Sequence, residues 1–512
     1  MKASRYWLLF ALCAVAWLLA SLLLPPMMSG TDVFMFRDAG WNLAAYGRFE
    51  SAGLMYMPDL VPRLYAHYTP LMPLLFAGYL SIFPRNAYAG TVFNLLVGLA
   101  AAAIALRWVL AQPCGNLRNG VAVTIAALPV LFVTFDRPEA IAFVLFALAV
   151  GYSARPGAHP LWLGLLIALT FLAHPFFAIA AAIWTASFFL ARNWDSDKRW
   201  PRTLAQVTVT GVSALVPIGA VAWLFYSLDP SSLSRFAVHA LGFHSGMNTV
   251  KSGGRWFDAI RWVTFGVSPL ASWTYLASFA SFPLLAAWWL RHRKELAPQD
   301  WLPIASALAC EAISIVLFSF QYNYIIALAF LIPVVLLIAG RERASLAAPG
   351  LALLLFACLL KLPAAGESLV ARAEQGPSYR ASRMQPEILR AHLASPDDIV
   401  TMEGASYDLF KPEFRNMIHL TDTEDVDHFA AVDGVANCYD GYHGSGVRPF
   451  PAKLKAAQFH LIEADPVHMW ITVFGHRVMR AQWGYGCDLY VRNSAASSGD
   501  GPSGDGPSGD EH

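Results

Sequence analysis

The sequence predicts an α-helical polytopic membrane protein of about 11 crossings that carries a small C-terminal α/β domain outside the bilayer. Three observations predict it. Of 512 residues, 56% are hydrophobic and only 14% are charged. Long apolar runs recur as far as residue 364, and beyond 365 the pattern changes to short alternating stretches. A mean hydropathy of +0.46 suits a chain that has lipid as well as its own core to face.

The first run, Tyr6 to Met28, is long enough to span a bilayer and follows Lys2 and Arg5, as an uncleaved signal-anchor would. Further runs occupy 88–110, 119–135, 137–152, 160–173, 176–191, 203–227, 270–290, 301–319, 325–339 and 346–364. The stretch 70–84 contains Pro70 and Pro73 and is short for a crossing, so it reads as an amphipathic or half-inserted surface helix. Clustered Lys and Arg at 107–118, 155, 192–202, 291–294 and 341–343 mark cytoplasmic loops and a cytoplasmic N-terminus. Alternation then puts 29–87, 136, 174–175, 229–269, 320–324 and everything after 365 outside.

The expected organisation is a membrane domain over 1–365 with an outer loop at 29–87, an extracytoplasmic domain over 366–495, and a disordered Ser-Gly-Asp-Gly-Pro tail over 496–512. Strand-like runs start at Asp398, Met417, Phe459 and Asp488, with helix-like pieces around 384–394 and 451–458. Net charge is +1, which points to neither nucleic acid nor an acidic partner. Of the six cysteines, only Cys438 and Cys487 fall in the polar C-terminal region. A disulfide and two free thiols are equally open readings.

Ionisable residues gather on the expected outer face. Asp32 follows the first span, with Asp38, Arg63, His67 and Tyr68 beyond it; Asp136-Arg137-Pro138-Glu139, His174-Pro175 and Gln321-Tyr322-Asn323-Tyr324 form tight turns. The loop 229–269 holds Arg235, Lys251, Arg255 and Arg261 against the positive-inside trend, as a phosphate-bearing ligand would require. Glu311 lies inside a span, where a carboxylate is costly. Structural roles compete: Asp136 and Glu139 suit a helix start, His174 a turn, and Tyr322 and Tyr324 an interface belt.

In order along the chain, these motifs resemble the GT-C superfamily of polyprenyl-phosphate-dependent glycosyltransferases, which includes aminoarabinose transferases and protein O-mannosyltransferases. Asp32, Phe36, Ala39, Asn42 and Leu43 match the order of its first outer loop, and His67-Tyr68-Thr69-Pro70-Leu71 through Phe83 resembles its later proline element and surface helix. Asp136 to Glu139 is similar to the second acidic motif, Gly164 to Pro175 to a Gly-Leu-rich helix ending in a turn, and Tyr322 to Pro333 to the late motif near the lipid. Val33 stands where many members have Glu, and the proline element lacks its lysine and first proline.

The resemblance implies an inverting transfer from a polyprenyl-phosphate sugar at the bacterial inner membrane to a cell-envelope glycan, lipid or protein acceptor. Asp32 would be the general base, and Arg137, Arg255, Lys251 and His67 would bind the donor phosphate. Tyr68, Asp136, Glu139, His174, Tyr322 and Tyr324 would line the substrate site, and Asp136 with Glu139 are the carboxylates available to a divalent cation. The competing reading is a transporter or flippase of a lipid-linked or anionic solute, and a polysaccharide polymerase or ligase is a third.

Overall fold

In a computed structural model of the chain, the residues described are 3–27, 33–51, 63–66, 68–113, 115–133, 137–237, 283–292, 294–318, 322–341, 344–395, 397–402, 406–419, 432–438, 454–455, 458–464, 470–473, 476–480 and 485–493. Among them, five helical stretches are long and apolar enough to cross a membrane: Ala3–Leu23, Ala89–Leu110, Pro175–Asn193, Arg199–Leu228 and Ala344–Glu374. Shorter apolar helices are Leu71–Leu80, Glu139–Ser153, Pro160–Ala173, Trp301–Cys310 and Leu328–Gly340, the last two lying within Trp301–Phe318 and Tyr322–Gly340.

The run expected over 119–135 is interrupted. Its helix, Asn116–Ala127, stops at Leu128, and a 3-10 turn follows over Pro129–Phe132. Pro129 has no N–H for the helical ladder and disfavours helical backbone at the residue before it. Conversely, the run expected to end at 364 continues as helix Ala347–Glu374 through the anticipated domain boundary. The stretch 70–84 forms helix Leu71–Leu80, about 15 Å long at 1.5 Å per residue and half of what a crossing needs. Helix Arg199–Leu228, at about 45 Å, exceeds the bilayer's apolar thickness.

Helix Ala89–Leu110 is packed inside the bundle, with Ala101, Ala102, Ala105 and Leu106 all buried, whereas Ala3–Leu23 keeps most of its surface open to lipid. Small residues let neighbouring backbones approach where no hydrophobic drive separates helix from lipid. This inner helix also orients the bundle. Near its start, Thr91 accepts the Met27 N–H at 2.7 Å; just past its other end, Gln112 donates to the Leu337 carbonyl at 2.7 Å. At that far end Arg118 bonds the Gln112 carbonyl, and Arg192 bonds the carbonyls of Ser153 and Arg155. The basic loops singled out at 107–118, 155 and 192–202 thus lie at the end remote from the exit of the first helix.

The polar C-terminal region builds a mixed sheet. Two short strands precede it in the chain, β1 (Glu50–Ser51) and β2 (Arg63–Leu64), which pair antiparallel. The remaining strands are β3 (Ile399–Met402), β4 (Asn416–His419), β5 (Gly434–Asn437), β6 (Phe459–Glu463), β7 (Trp470–Val473), β8 (His476–Arg480) and β9 (Asp488–Arg492). Five form one sheet in the order β4-β3-β5-β9-β6, parallel from β4 to β5 and antiparallel at β9. β7 and β8 pair separately. The Cys438–Cys487 disulfide joins the end of β5 to the approach to β9. Val33 and Phe34, directly after Asp32 in sequence, are buried in this domain's core with Val400, Met402, Met417 and Leu489.

Candidate functional site

Past the first helix, the chain makes a single turn over Val33–Phe36 and then helix Asp38–Tyr46. Gly47 ends that helix in the left-handed conformation, φ 70°, with its N–H on the Leu43 carbonyl, a closure open to glycine at little steric cost. Gly40 faces the Pro73 backbone too closely to admit a Cβ, so helix Asp38–Tyr46 can lie directly on Leu71–Leu80.

From Phe36 an aromatic and charged column runs between elements far apart in sequence. The Arg137 guanidinium stands 5.9 Å from the centre of the Phe36 ring. Phe36 meets Tyr68 edge-on at 5.2 Å, Tyr68 meets His174 at 5.8 Å, and His174 meets Phe177 at 5.2 Å. Thr69 ties the column's backbone together by donating to the Ala173 carbonyl at 3.0 Å. Arg137 Nε donates to Glu139 Oε1 at 2.7 Å, which orients the guanidinium beside the ring. Lys361, from helix Ala347–Glu374, places its ammonium 5.3 Å from the Phe330 ring and lies within electrostatic reach of Glu139. Among the described residues, one carboxylate, Glu139, and two cations, Arg137 and Lys361, come near one another at this end of the bundle.

The fold therefore gathers four of the sequence-identified residues, Tyr68, Arg137, Glu139 and His174, around Phe36. Asp32, His67, Asp136, Lys251 and Arg255 lie outside the described residues. Tyr322 and Tyr324 open helix Tyr322–Gly340, and Glu311 lies in helix Trp301–Phe318. Of the two carboxylates considered for a divalent cation, Asp136 lies outside the described residues and Glu139 engages Arg137 through one oxygen; among the described residues no three His, Cys, Asp or Glu side chains gather into a ligand set.

A second polar cluster locks this segment to the C-terminal domain. Asp38 accepts from Tyr407 Oη at 2.6 Å and from Ser51 Oγ at 2.9 Å, and pairs with Lys411 Nζ at 2.7 Å. Arg37 Nη2 pairs with Asp408 Oδ2 at 2.9 Å. Burial raises the Tyr407 phenol well above its ordinary range, and the neighbouring Asp38 carboxylate adds to the effect. Burial also depresses the Lys411 ammonium, while Asp38 opposes that shift. Asp38 is thus saturated with donors and serves as an anchor.

The exit of the first helix is held as well. Arg372 donates to the Ser21 carbonyl and the Pro25 carbonyl, each at 2.8 Å, and Tyr485 Oη donates to the Pro26 carbonyl at 3.0 Å. The Ser21 carbonyl is one that a helix end leaves without an intrahelical partner, and Pro25 and Pro26 lie just past that end. Sequence reasoning missed Arg37, Lys361, Arg372, Tyr407, Asp408 and Lys411 as site residues. Lys361 alone had a visible signal, an ammonium inside an apolar run; the others pair across hundreds of residues.

No protein-family model matches the chain, and no curated protein matches it. Among solved structures, the oligosaccharyltransferase of Archaeoglobus fulgidus in its apo form is similar with a TM-score of 0.41 and 12% identity over 85% of this chain and 70% of that one. The archaeal oligosaccharyltransferase AglB from the same organism, in complex with an inhibitory peptide and a dolichol-phosphate, is similar with a TM-score of 0.39 and 12% identity over the same shares.

Proposed function

We propose that this chain is an integral-membrane glycosyltransferase that moves a sugar from a polyprenyl-phosphate donor to an acceptor outside the bacterial inner membrane. The observation that carries the reading is the meeting of Phe36, Tyr68, Arg137, Glu139 and His174 at the end of the bundle where the first helix exits. Phe36 follows Asp32 by four residues in the sequence, and the sequence there follows the order of the GT-C outer loop. The reading includes about 11 crossings, a cytoplasmic N-terminus and an extracytoplasmic C-terminal domain.

In the proposed reaction the acceptor oxygen attacks the anomeric carbon as the bond from that carbon to the phosphate oxygen breaks, and configuration inverts. Asp32 takes the acceptor proton. The electron pair of the broken bond leaves on the polyprenyl phosphate, whose charge Arg137 meets, with Lys251, Arg255 and His67 as further cations. Tyr68, His174, Tyr322 and Tyr324 supply apolar walls and polar tips for sugar and lipid, with Asp136 and Glu139 at the headgroup.

The test is reconstitution in vesicles with radiolabelled polyprenyl-phosphate sugars and membrane extract. The expected result is label in a cell-envelope product from the wild-type chain and none from Asp32→Asn at equal expression. Wild-type turnover by Asp32→Asn overturns the base assignment. Transfer of the labelled lipid between leaflets with no sugar consumed overturns the enzyme reading in favour of a flippase.

A further inference from the structure

Lys361 is an ammonium in the apolar sequence Leu359-Leu360-Lys361-Leu362-Pro363 of a membrane-crossing helix. Holding a lysine at such depth is costly, and the cost is met where the charge has a partner or a cavity. Among the described residues the face of Phe330 stands 5.3 Å from it, and the Glu139 carboxylate and the Cys358 thiol lie within electrostatic reach. Glu139 is already committed: Oε1 accepts from Arg137 at 2.7 Å. Its second oxygen, Oε2, is buried and accepts no hydrogen bond from any described residue, although the residue is 92% enclosed at 8% exposure. A buried carboxylate oxygen without a donor is expensive, and a ligand hydroxyl would relieve it.

We propose that Lys361, Arg137 and Glu139 form one subsite for a glycosyl phosphate carried on a lipid. The two cations bind oxygens of the phosphate, and Glu139 Oε2 accepts a hydrogen bond from a hydroxyl of the attached sugar. The inference rests on the glycosyltransferase reading and adds to it a cation from the last long apolar helix and a sugar contact. Phe330 and Phe132, with ring centres 5.3 Å apart and both buried, form the apolar wall on which the ammonium rests.

The test uses the full-length chain purified in detergent. Its affinity is measured for three probes: a polyprenol, the corresponding polyprenyl monophosphate and a polyprenyl-phosphate hexose. The wild type should prefer the phosphate over the alcohol. Lys361→Met should lose about tenfold of that preference, the loss expected for one hydrogen bond to a charged group, and Lys361→Arg should keep most of it. Glu139→Gln should weaken the hexose probe while leaving the bare phosphate unchanged or tighter. Size-exclusion elution and thermal unfolding of each variant establish that it is folded, and Lys361→Arg retains the charge if Lys361→Met fails to fold. A wild type that prefers the phosphate while a folded Lys361→Met, or a folded Lys361→Gln in its place, shows the same preference overturns the subsite alone. A wild type indifferent to the phosphate overturns the subsite and the glycosyltransferase reading together.

Discussion

Lys411 places its ammonium 2.7 Å from the Asp38 carboxylate, and both groups are fully enclosed where the membrane domain meets the C-terminal domain. Asp38 follows Asp32 by six residues in the sequence and also accepts from Tyr407. Removing one member of a buried pair strands the other's charge. Lys411→Met should therefore destabilise the chain by about 3–5 kcal/mol, and the double variant Asp38→Asn with Lys411→Met should recover part of the loss. Thermal unfolding in detergent across the four-member cycle measures this. Purely additive losses would show that the two groups do not depend on each other.

Gly90 supplies the space for the second ion pair. A Cβ there would overlap the Arg37 guanidinium and stand 2.7 Å from Asp408 Oδ2. Gly90→Ala should push the pair apart and cost about 1–3 kcal/mol from overpacking alone, whereas Gly78→Ala, which meets nothing within 4 Å, should be neutral or slightly stabilising. Comparing melting temperatures of the two helix variants separates the effect of a side chain from that of helix propensity.

Arg372 and Tyr485 hold three carbonyls at the exit of the first helix. Arg372→Met should speed hydrogen exchange over residues 20–27 and lower glycosyl transfer, because the segment carrying the proposed base starts from that point. Tyr485→Phe removes one bond and should cost about 1 kcal/mol. Unchanged exchange in Arg372→Met would mean that packing alone secures the helix end.

The phenols predict an alkaline limit. Tyr379 is pushed up to about 12, chiefly by burial, and Tyr407 and Tyr485 are raised well above the ordinary phenol range, also chiefly by burial. In the unfolded chain a phenol loses its proton near pH 10, so above that pH the folded state binds more protons than the unfolded one. Stability from these groups is complete below pH 10 and falls as pH rises from 10 toward 12 and beyond. Stability measured against pH, with phenolate absorbance as the monitor, should show this decline, and Tyr407→Phe should reduce it.

The Cys438–Cys487 disulfide closes a loop with a sequence separation of 49. By the chain-entropy relation, losing it through Cys438→Ser with Cys487→Ser should cost about 4 kcal/mol at most. Differential unfolding with and without reductant reads the cost directly.

The sequence by itself determined the helical membrane class, the strand-bearing C-terminal region and the turns that hold Tyr68, Arg137, Glu139 and His174, because hydrophobic periodicity, proline and charge are local signals. Tertiary structure decided what those turns meet. Nothing near Asp38 in the sequence points to Tyr407 or Lys411, since a carboxylate's partner depends on how the chain returns after many helices. Pairing was likewise open for Cys438 and Cys487, and the fold joined them by bringing β5 beside β9. The same physics explains Lys361: its cost was visible in an apolar run, but only packing brought it to Glu139, and a charge in a membrane is intelligible only with the groups that face it.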